Sequence, residues 1–200
     1  MEKDQKKLIL FMPSMDGGGV EKNLIIVANF LSKYLKNLIL ITFDDKFNKK
    51  FSKKIKIINF KRKTNKNFTK YFKYFVCLLI LSKQVLKDRR TGVISFQANI
   101  YTIILSIILR FNLIIRSNAS PSGWTKSFIK NYLFKIFFRY PKSIIVNSLD
   151  FKKEIDKKFG IKSNLIYNPL NKKEILIKSK EKINLKLFKN KKSLKLINIS

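Results

Sequence analysis

Apolar and polar positions in this 200-residue chain fall into two alternating kinds of segment. Short runs rich in Ile, Leu and Val occupy residues 7–12, 38–43, 55–60, 92–98, 113–117, 143–148 and 164–167, each bounded by charged or turn residues. Continuous apolar character with little alternation predicts strands buried on both faces. Between the runs lie helix-length stretches. Residues 20–35 place Val20, Leu24, Val27, Ala28, Leu31 and Leu35 at three- and four-residue spacings, which is one face of a helix. Residues 67–87, 100–110, 124–139 and 149–159 have helical length too, and Gly160 supplies a stop for the last of them.

Strands alternating with helices predict a doubly wound α/β fold: a mostly parallel, Rossmann-like sheet with helices on both faces. One connection, from Phe43 to Ile55, is short enough to run directly from strand to strand. The pattern breaks at Asn171. Residues 171–193 are dominated by Lys, Glu and Asn and read as a charged linker with some helix. Residues 194–200 read as a fresh strand. A lone strand cannot form a domain, so the expectation is one domain over residues 1–170 and, from 194, the first strand of a second domain that is missing. No run of about 18 apolar residues is present to span a membrane. The nearest, residues 100–115, is interrupted by Arg110 and Asn112 and reads as a buried helix followed by a strand.

Charge changes this picture. There are 44 Lys and Arg against 12 Asp and Glu, a formal net charge of +32. One reading is a polyanionic partner, whether an anionic bilayer, phosphate-rich ligands or nucleic acid. The other is compositional drift, because the chain is crowded with Lys, Asn, Ile and Phe and poor in Ala, Gly and Pro. Both stay open, but the bases are scattered with no recognition module, which argues against nucleic acid. A hydrophobic content of 46% excludes a disordered chain. The single cysteine, Cys77, can form no internal disulfide and sits in an apolar run, as a buried small hydrophobe would. With no signal-peptide pattern near residues 1–13, the expected setting is cytoplasmic, with peripheral contact at the cytoplasmic face of a membrane.

Candidate chemistry concentrates between the first strand and the first helix, in Pro13-Ser14-Met15-Asp16-Gly17-Gly18-Gly19-Val20-Glu21-Lys22-Asn23. Glycines there permit positive φ and close backbone approach, and the helix N-terminus offers free N–H groups and a positive dipole end. That is the physics of a phosphate cradle, although a plain tight turn uses the same residues. Neither Gly-x-Gly-x-x-Gly nor the phosphate-loop pattern fits, which disfavours dinucleotides and ATP. A second stretch, Phe68-Thr69-Lys70-Tyr71-Phe72-Lys73-Tyr74-Phe75, mixes basic and aromatic residues at helical spacing. It suits either a membrane interface or a core-facing helix with snorkelling lysines. Residues 124–130 repeat that mixture more weakly.

The same residues carry a resemblance. Pro13-Ser14, then Gly17-Gly18-Gly19-Val20-Glu21-Lys22 and its helix, resemble the opening of family-4-type retaining GT-B glycosyltransferases. So do Val93-Ile94-Ser95-Phe96, Ile114-Ile115-Arg116-Ser117-Asn118-Ala119-Ser120-Pro121, and Ile144-Ile145-Val146-Asn147-Ser148 followed by Leu165-Ile166-Tyr167-Asn168-Pro169-Leu170. Together they run through nearly the whole chain in the family's order. The resemblance implies that the N-terminal half holds the acceptor and a C-terminal half binds a nucleotide-sugar. Gly17, Gly18 and Gly19 would then reach toward the donor diphosphate, flanked by Asp16 and by Glu21, whose carboxylate favours the first helical turn. Arg116 and Asn118 would face the same cleft, with Arg116 pairing an acceptor pyrophosphate or standing as a surface or solvated cation. Asn168 would lie at the cleft hinge or in the turn that closes the domain.

Two departures matter. Many relatives carry a histidine after the fourth strand to contact the donor sugar; this chain has none, and Gln97 and Asn99 stand there instead. A retaining front-face reaction needs no enzymic base, so catalysis is not excluded. The family's paired glutamates and basic donor-phosphate residues would lie beyond Ser200. The resemblance therefore implies a nucleotide-sugar co-substrate, no metal or other cofactor, and a lipid-linked or surface-polysaccharide acceptor. A half chain would bind without turning over, because reacting geometry needs both halves. The alternative is a non-catalytic basic module that holds an anionic membrane or polyanion.

Overall fold

Seven parallel strands form one sheet in the computed structural model, which describes residues 7–60, 68–118 and 128–181. They are β1 (Leu8–Phe11), β2 (Leu38–Ile41), β3 (Lys56–Ile58), β4 (Gly92–Ser95), β5 (Asn112–Ser117), β6 (Ser143–Val146) and β7 (Asn164–Leu165). Their order is β3-β2-β1-β4-β5-β6-β7. The helices are α1 (Gly19–Leu31), α2 (Lys70–Lys87), α3 (Asn99–Leu109), α4 (Phe128–Phe137), α5 (Leu149–Phe159) and α6 (Lys172–Lys178). The fold is Rossmann-like α/β, as the strand–helix alternation predicts.

Each apolar run contains a strand, and most strands stop short of the run's end. In the run 92–98 the ladder ends at Ser95, and the next residues turn away to build a loop at the carboxyl edge. Between β2 and β3 there is no α-helix, only one 3-10 turn at Asn48–Lys50. Because β2 and β3 are parallel, this link is a crossover and not a hairpin. Asn29 on α1 holds it, donating to Lys50 O at 2.9 Å and accepting from Ser52 N at 2.7 Å. The helix expected over 124–139 is described from Phe128 to Phe137, and the strand expected at 194–200 lies outside the described residues.

Side chains alternate across the sheet and make two cores. Leu10, Leu38 and Leu40 meet Leu24 and Ala28 of α1 on one face. On the other, Ile9, Phe11, Ile39, Val93, Leu113, Ile115 and Ile144 meet Cys77, Leu81 and Val85 of α2, Ile103 of α3 and Ile155 of α5. Cys77 is fully buried, and that burial pushes its thiol up to about 12, so it packs as an apolar group. Thr69 and Ser148 cap α2 and α5 by accepting from Phe72 N and Phe151 N, and Gly160, at φ +63°, ends α5.

Contacts divide the chain into two units, Met1–Pro169 and Leu170–Ser200. In the second, Asn171 caps α6 by accepting from Glu174 N, and Glu174 pairs with Lys178 at 2.7 Å. No helix among the described residues is long and apolar enough to cross a membrane.

Candidate functional site

β1 hydrogen-bonds to β2 on one side and β4 on the other, so the chain reverses its direction of travel across the sheet between β1 and β4. In open α/β sheets a crevice opens at such a switch point, outside the carboxyl ends of the strands. Here a cavity of about 340 Å³ occupies it, lined by Met12, Val20, Glu21, Phe96, Gln97, Asn99, Ile100, Arg116, Ser117, Asn118, Phe134 and Phe138.

The glycine loop stands just before Val20 and Glu21, which line the cavity from the start of α1. Gly17 takes φ +102°, open to glycine, while Gly18 is extended and Gly19 begins α1. Glu21 is buried and folds back to accept from Asp16 N at 3.1 Å. The protein's own carboxylate therefore lies at the start of α1, the place a bound anion would favour. Asp16 is exposed, with its carboxylate 3.2 and 3.3 Å from Ser14 Oγ. A further clamp holds the loop from below: Asp44 accepts from Met15 N at 3.0 Å and pairs with Lys73 Nζ at 2.8 Å.

Gln97 and Asn99 stitch three strand ends together. Gln97 Oε1 accepts from Ser14 N at 2.9 Å, which ties the β4 loop to the β1 loop. Asn99 Oδ1 lies 2.9 Å from Ser95 Oγ, and its Nδ2 donates to Arg116 O at 3.0 Å, reaching β5. Between them Ala98 is held at φ +59°, a left-handed conformation that costs a non-glycine residue roughly 1 kcal/mol or more. That turn sends the two amides in different directions.

Arg116 is the least ordinary residue of the site. It is 4% exposed, and burial lowers its guanidinium's affinity for its proton. Its Nη2 donates to Asn168 Oδ1 at 2.7 Å and reaches Ile166 O at 3.4 Å. No carboxylate pairs with it among the described residues, and its buried Nε has no hydrogen-bond partner there. Asn118 donates to Phe96 O at 3.2 Å, but its buried Oδ1 is likewise without a partner. Both residues line the same cavity. Among the described residues no three His, Cys, Asp or Glu side chains come together to hold a metal.

The cavity thus gathers Glu21, Gln97, Asn99, Arg116 and Asn118 of the residues singled out by sequence. Gly17, Gly18, Gly19 and Asp16 are not among its lining residues, and Asn168 reaches it only through Arg116. In the apolar wall Phe96 ends the Val93–Phe96 motif, whereas Met12, Ile100, Phe134 and Phe138 carry no motif and read as core in the sequence. Asp44 was within reach of a simpler signal, since it stands just past the carboxyl end of β2.

An all-parallel sheet in this order, with a cavity at its switch point, defines a Rossmann-like domain. Solved structures share it. Alr3699/HepE of Anabaena, in complex with UDP and glucose, matches with a TM-score of 0.60 at 17% identity, over 82% of this chain and 45% of that one. Its complex with UDP-glucose gives 0.60 at 18%, over 82% and 44%. UGT2 of Phytolacca americana, complexed with UDP-2fluoro-glucose and pterostilbene, gives 0.52 at 8% identity, over 86% and 56%. UGT73P12 of Glycyrrhiza uralensis, complexed with glycyrrhetinic acid 3-O-monoglucuronide, gives 0.51 at 11%, over 79% and 48%. These neighbours are GT-B glycosyltransferases, and at such identities the likeness is one of fold. The chain spans less than half the length of the HepE chains it matches. No protein-family profile and no curated protein sequence matches it.

Proposed function

We propose that this domain is the acceptor side of a retaining GT-B glycosyltransferase, which moves a sugar from a nucleotide-sugar to a lipid-linked or surface-polysaccharide acceptor. The observation that carries the reading is that Arg116 and Asn118 both line the cavity while the buried Nε of one and the buried Oδ1 of the other have no partner among the described residues. A buried guanidinium without a counter-charge is costly, and an anionic ligand removes that cost. A ligand with an anionic oxygen beside a hydroxyl satisfies donor and acceptor together, as a sugar joined to a diphosphate does. The HepE complexes with UDP and glucose support the same chemistry at this fold.

In this reading Glu21 occupies the start of α1, so the acceptor's anion falls to Arg116, with Asn168 holding the guanidinium in place. Gly17–Gly19 approach the donor diphosphate from the loop before α1. Gln97 and Asn99 shape the crevice and supply no base, in keeping with retention. No metal takes part. Turnover needs a donor-binding half to complete the reacting geometry. The domain works at the cytoplasmic face of a membrane, where lipid-linked acceptors are found.

Calorimetric titration with pyrophosphate, UDP-glucose and a prenyl diphosphate tests the assignment. Diphosphate-bearing ligands bind the native chain, and Arg116→Met weakens them by roughly tenfold or more while leaving thermal stability unchanged or higher. Equal binding by native and variant chains would defeat the reading. So would robust sugar transfer by the chain alone, as far as its restriction to the acceptor side is concerned. The competing basic-module reading predicts binding that ignores Arg116 and falls steeply with salt.

A further inference from the structure

We infer that the outward face of α2, α3 and α4 is a membrane-contact surface that lies on an anionic phospholipid bilayer. α3 packs between α2 and α4 on one side of the sheet. On α2 the core-facing residues are Tyr74, Cys77, Leu81 and Val85. The opposite arc should be polar in a helix that faces water. Instead it carries Tyr71, Phe75, Leu79 and Leu86, each 49–72% exposed. α3 has no charged residue at all, and its Tyr101, Ile104, Ile107 and Ile108 are exposed. α4 continues the surface with exposed Ile129, Tyr132, Leu133 and Ile136. Apolar surface shared by three neighbouring helices marks a contact region, not isolated exposed side chains.

Charge selects the partner. The three helices contain not one Asp or Glu between them, while Lys70, Lys83, Lys87 and Lys135 stand exposed around the apolar face. Compositional drift does not explain this, because it would act on every helix. α5, next to α4, mixes Asp150, Glu154 and Asp156 with its lysines, and Leu149 is its one exposed large apolar residue. α1, on the other face of the sheet, exposes only Phe30. Apolar and aromatic side chains, amphipathic Tyr and a rim of Lys are the composition of a surface lying in a lipid interface, the lysine heads reaching anionic headgroups. No described helix is able to span, so the contact is interfacial. Tyr71, Tyr101 and Ile129 stand in the first turns of their helices, at the strands' carboxyl edge, so the surface reaches the rim of the crevice. The inference stands independently of glycosyl transfer, since vesicle binding reads it without a sugar.

Sedimentation of the full chain with vesicles of phosphatidylcholine, alone or mixed with phosphatidylglycerol, tests it. Binding is expected to the mixed vesicles, with little to phosphatidylcholine alone, and to weaken as salt rises from about 0.1 M to about 1 M and the screening length shrinks from ~10 to ~3 Å. The double change Lys83→Glu and Lys87→Glu is expected to weaken it about tenfold or more. Lys33→Glu with Lys36→Glu makes the same change in net charge beyond α1 and is expected to have a much smaller effect. Equal loss in both would mean undirected attraction by net charge and would overturn the inference. Phe75→Ser with Leu79→Ser and Ile108→Ser should abolish binding, and because all three residues are exposed the thermal transition should not fall. Binding that survives this triple change overturns the inference. So does a stable lipid-free dimer, by light scattering, that the same change dissociates, because the occupant is then a second copy.

Discussion

A methyl group on Gly17 would have to accept φ +102° and would meet Phe47 Cζ at 3.4 Å; one on Gly18 would meet Glu21 Oε2 at 3.1 Å; one on Gly19 would meet nothing. Three adjacent glycines therefore differ in what they tolerate. Gly17→Ala is expected to cost about 1–2 kcal/mol from backbone strain alone. Gly19→Ala, at the first position of α1, is expected to gain roughly 0.4–1 kcal/mol by restricting the unfolded chain. Denaturant unfolding of the two variants checks this, and equal shifts would show that the loop is not held at positive φ. The sequence marks this stretch as a loop built for close approach. It does not say which glycine bears the strained angle, because that depends on where Phe47 and Glu21 come to rest. Arg116 shows the same limit: its position after a strand is readable, but the lack of a carboxylate near it is a property of the packed molecule.

At the scale of elements, the turn from α5 into β7 hangs on one carboxylate. Asp156 accepts from Lys152 Nζ at 2.6 Å and from Ser163 N at 2.7 Å. Burial opposes its ionisation, but these hydrogen bonds outweigh it and hold its carboxyl below the ordinary aspartate value. A depressed folded pKa contributes stability that is present above the unfolded value, near 3.9, and is lost as pH falls through the folded one. Asp156→Asn is expected to cost about 1.5–3 kcal/mol near neutral pH, with the gap to the native chain narrowing as acid protonates the native carboxylate. Urea unfolding at neutral and at strongly acid pH checks this; a gap of constant size would remove the ion from the account. The strands are the most readable elements, because a strand buried on both faces leaves an unbroken apolar run, although most ladders end before the run does. Phe68–Phe75 was harder to read. Phe68 and Phe72 stack at 4.6 Å and Lys73 turns inward to Asp44, while Tyr71 and Phe75 face outward. An inward and an outward aromatic face coexist on this helix, and composition averages over them.

For the molecule as a whole, similar apolar runs could be ordered in a parallel sheet in many ways, and connection rules narrow that choice without completing it. The cavity exists because β4 lands beside β1, a pairing that no local motif encodes. That pairing also has a kinetic side. Leu8 pairs with Leu38 on one edge and with Gly92 on the other, so this interior strand, made first, waits for a neighbour made much later. Contacts so distant along the chain slow folding, and an unpaired apolar strand edge is open to self-association in the interval. Docking of β4 on β1 is thus the expected rate-limiting event. Val93→Ala, at that junction, should mainly slow refolding in stopped-flow measurements, whereas Ile144→Ala, out on β6, should mainly hasten unfolding. If both act on the same limb, the nucleus lies elsewhere. If they divide as expected, the strand pair that creates the crevice also sets the pace at which the chain becomes native.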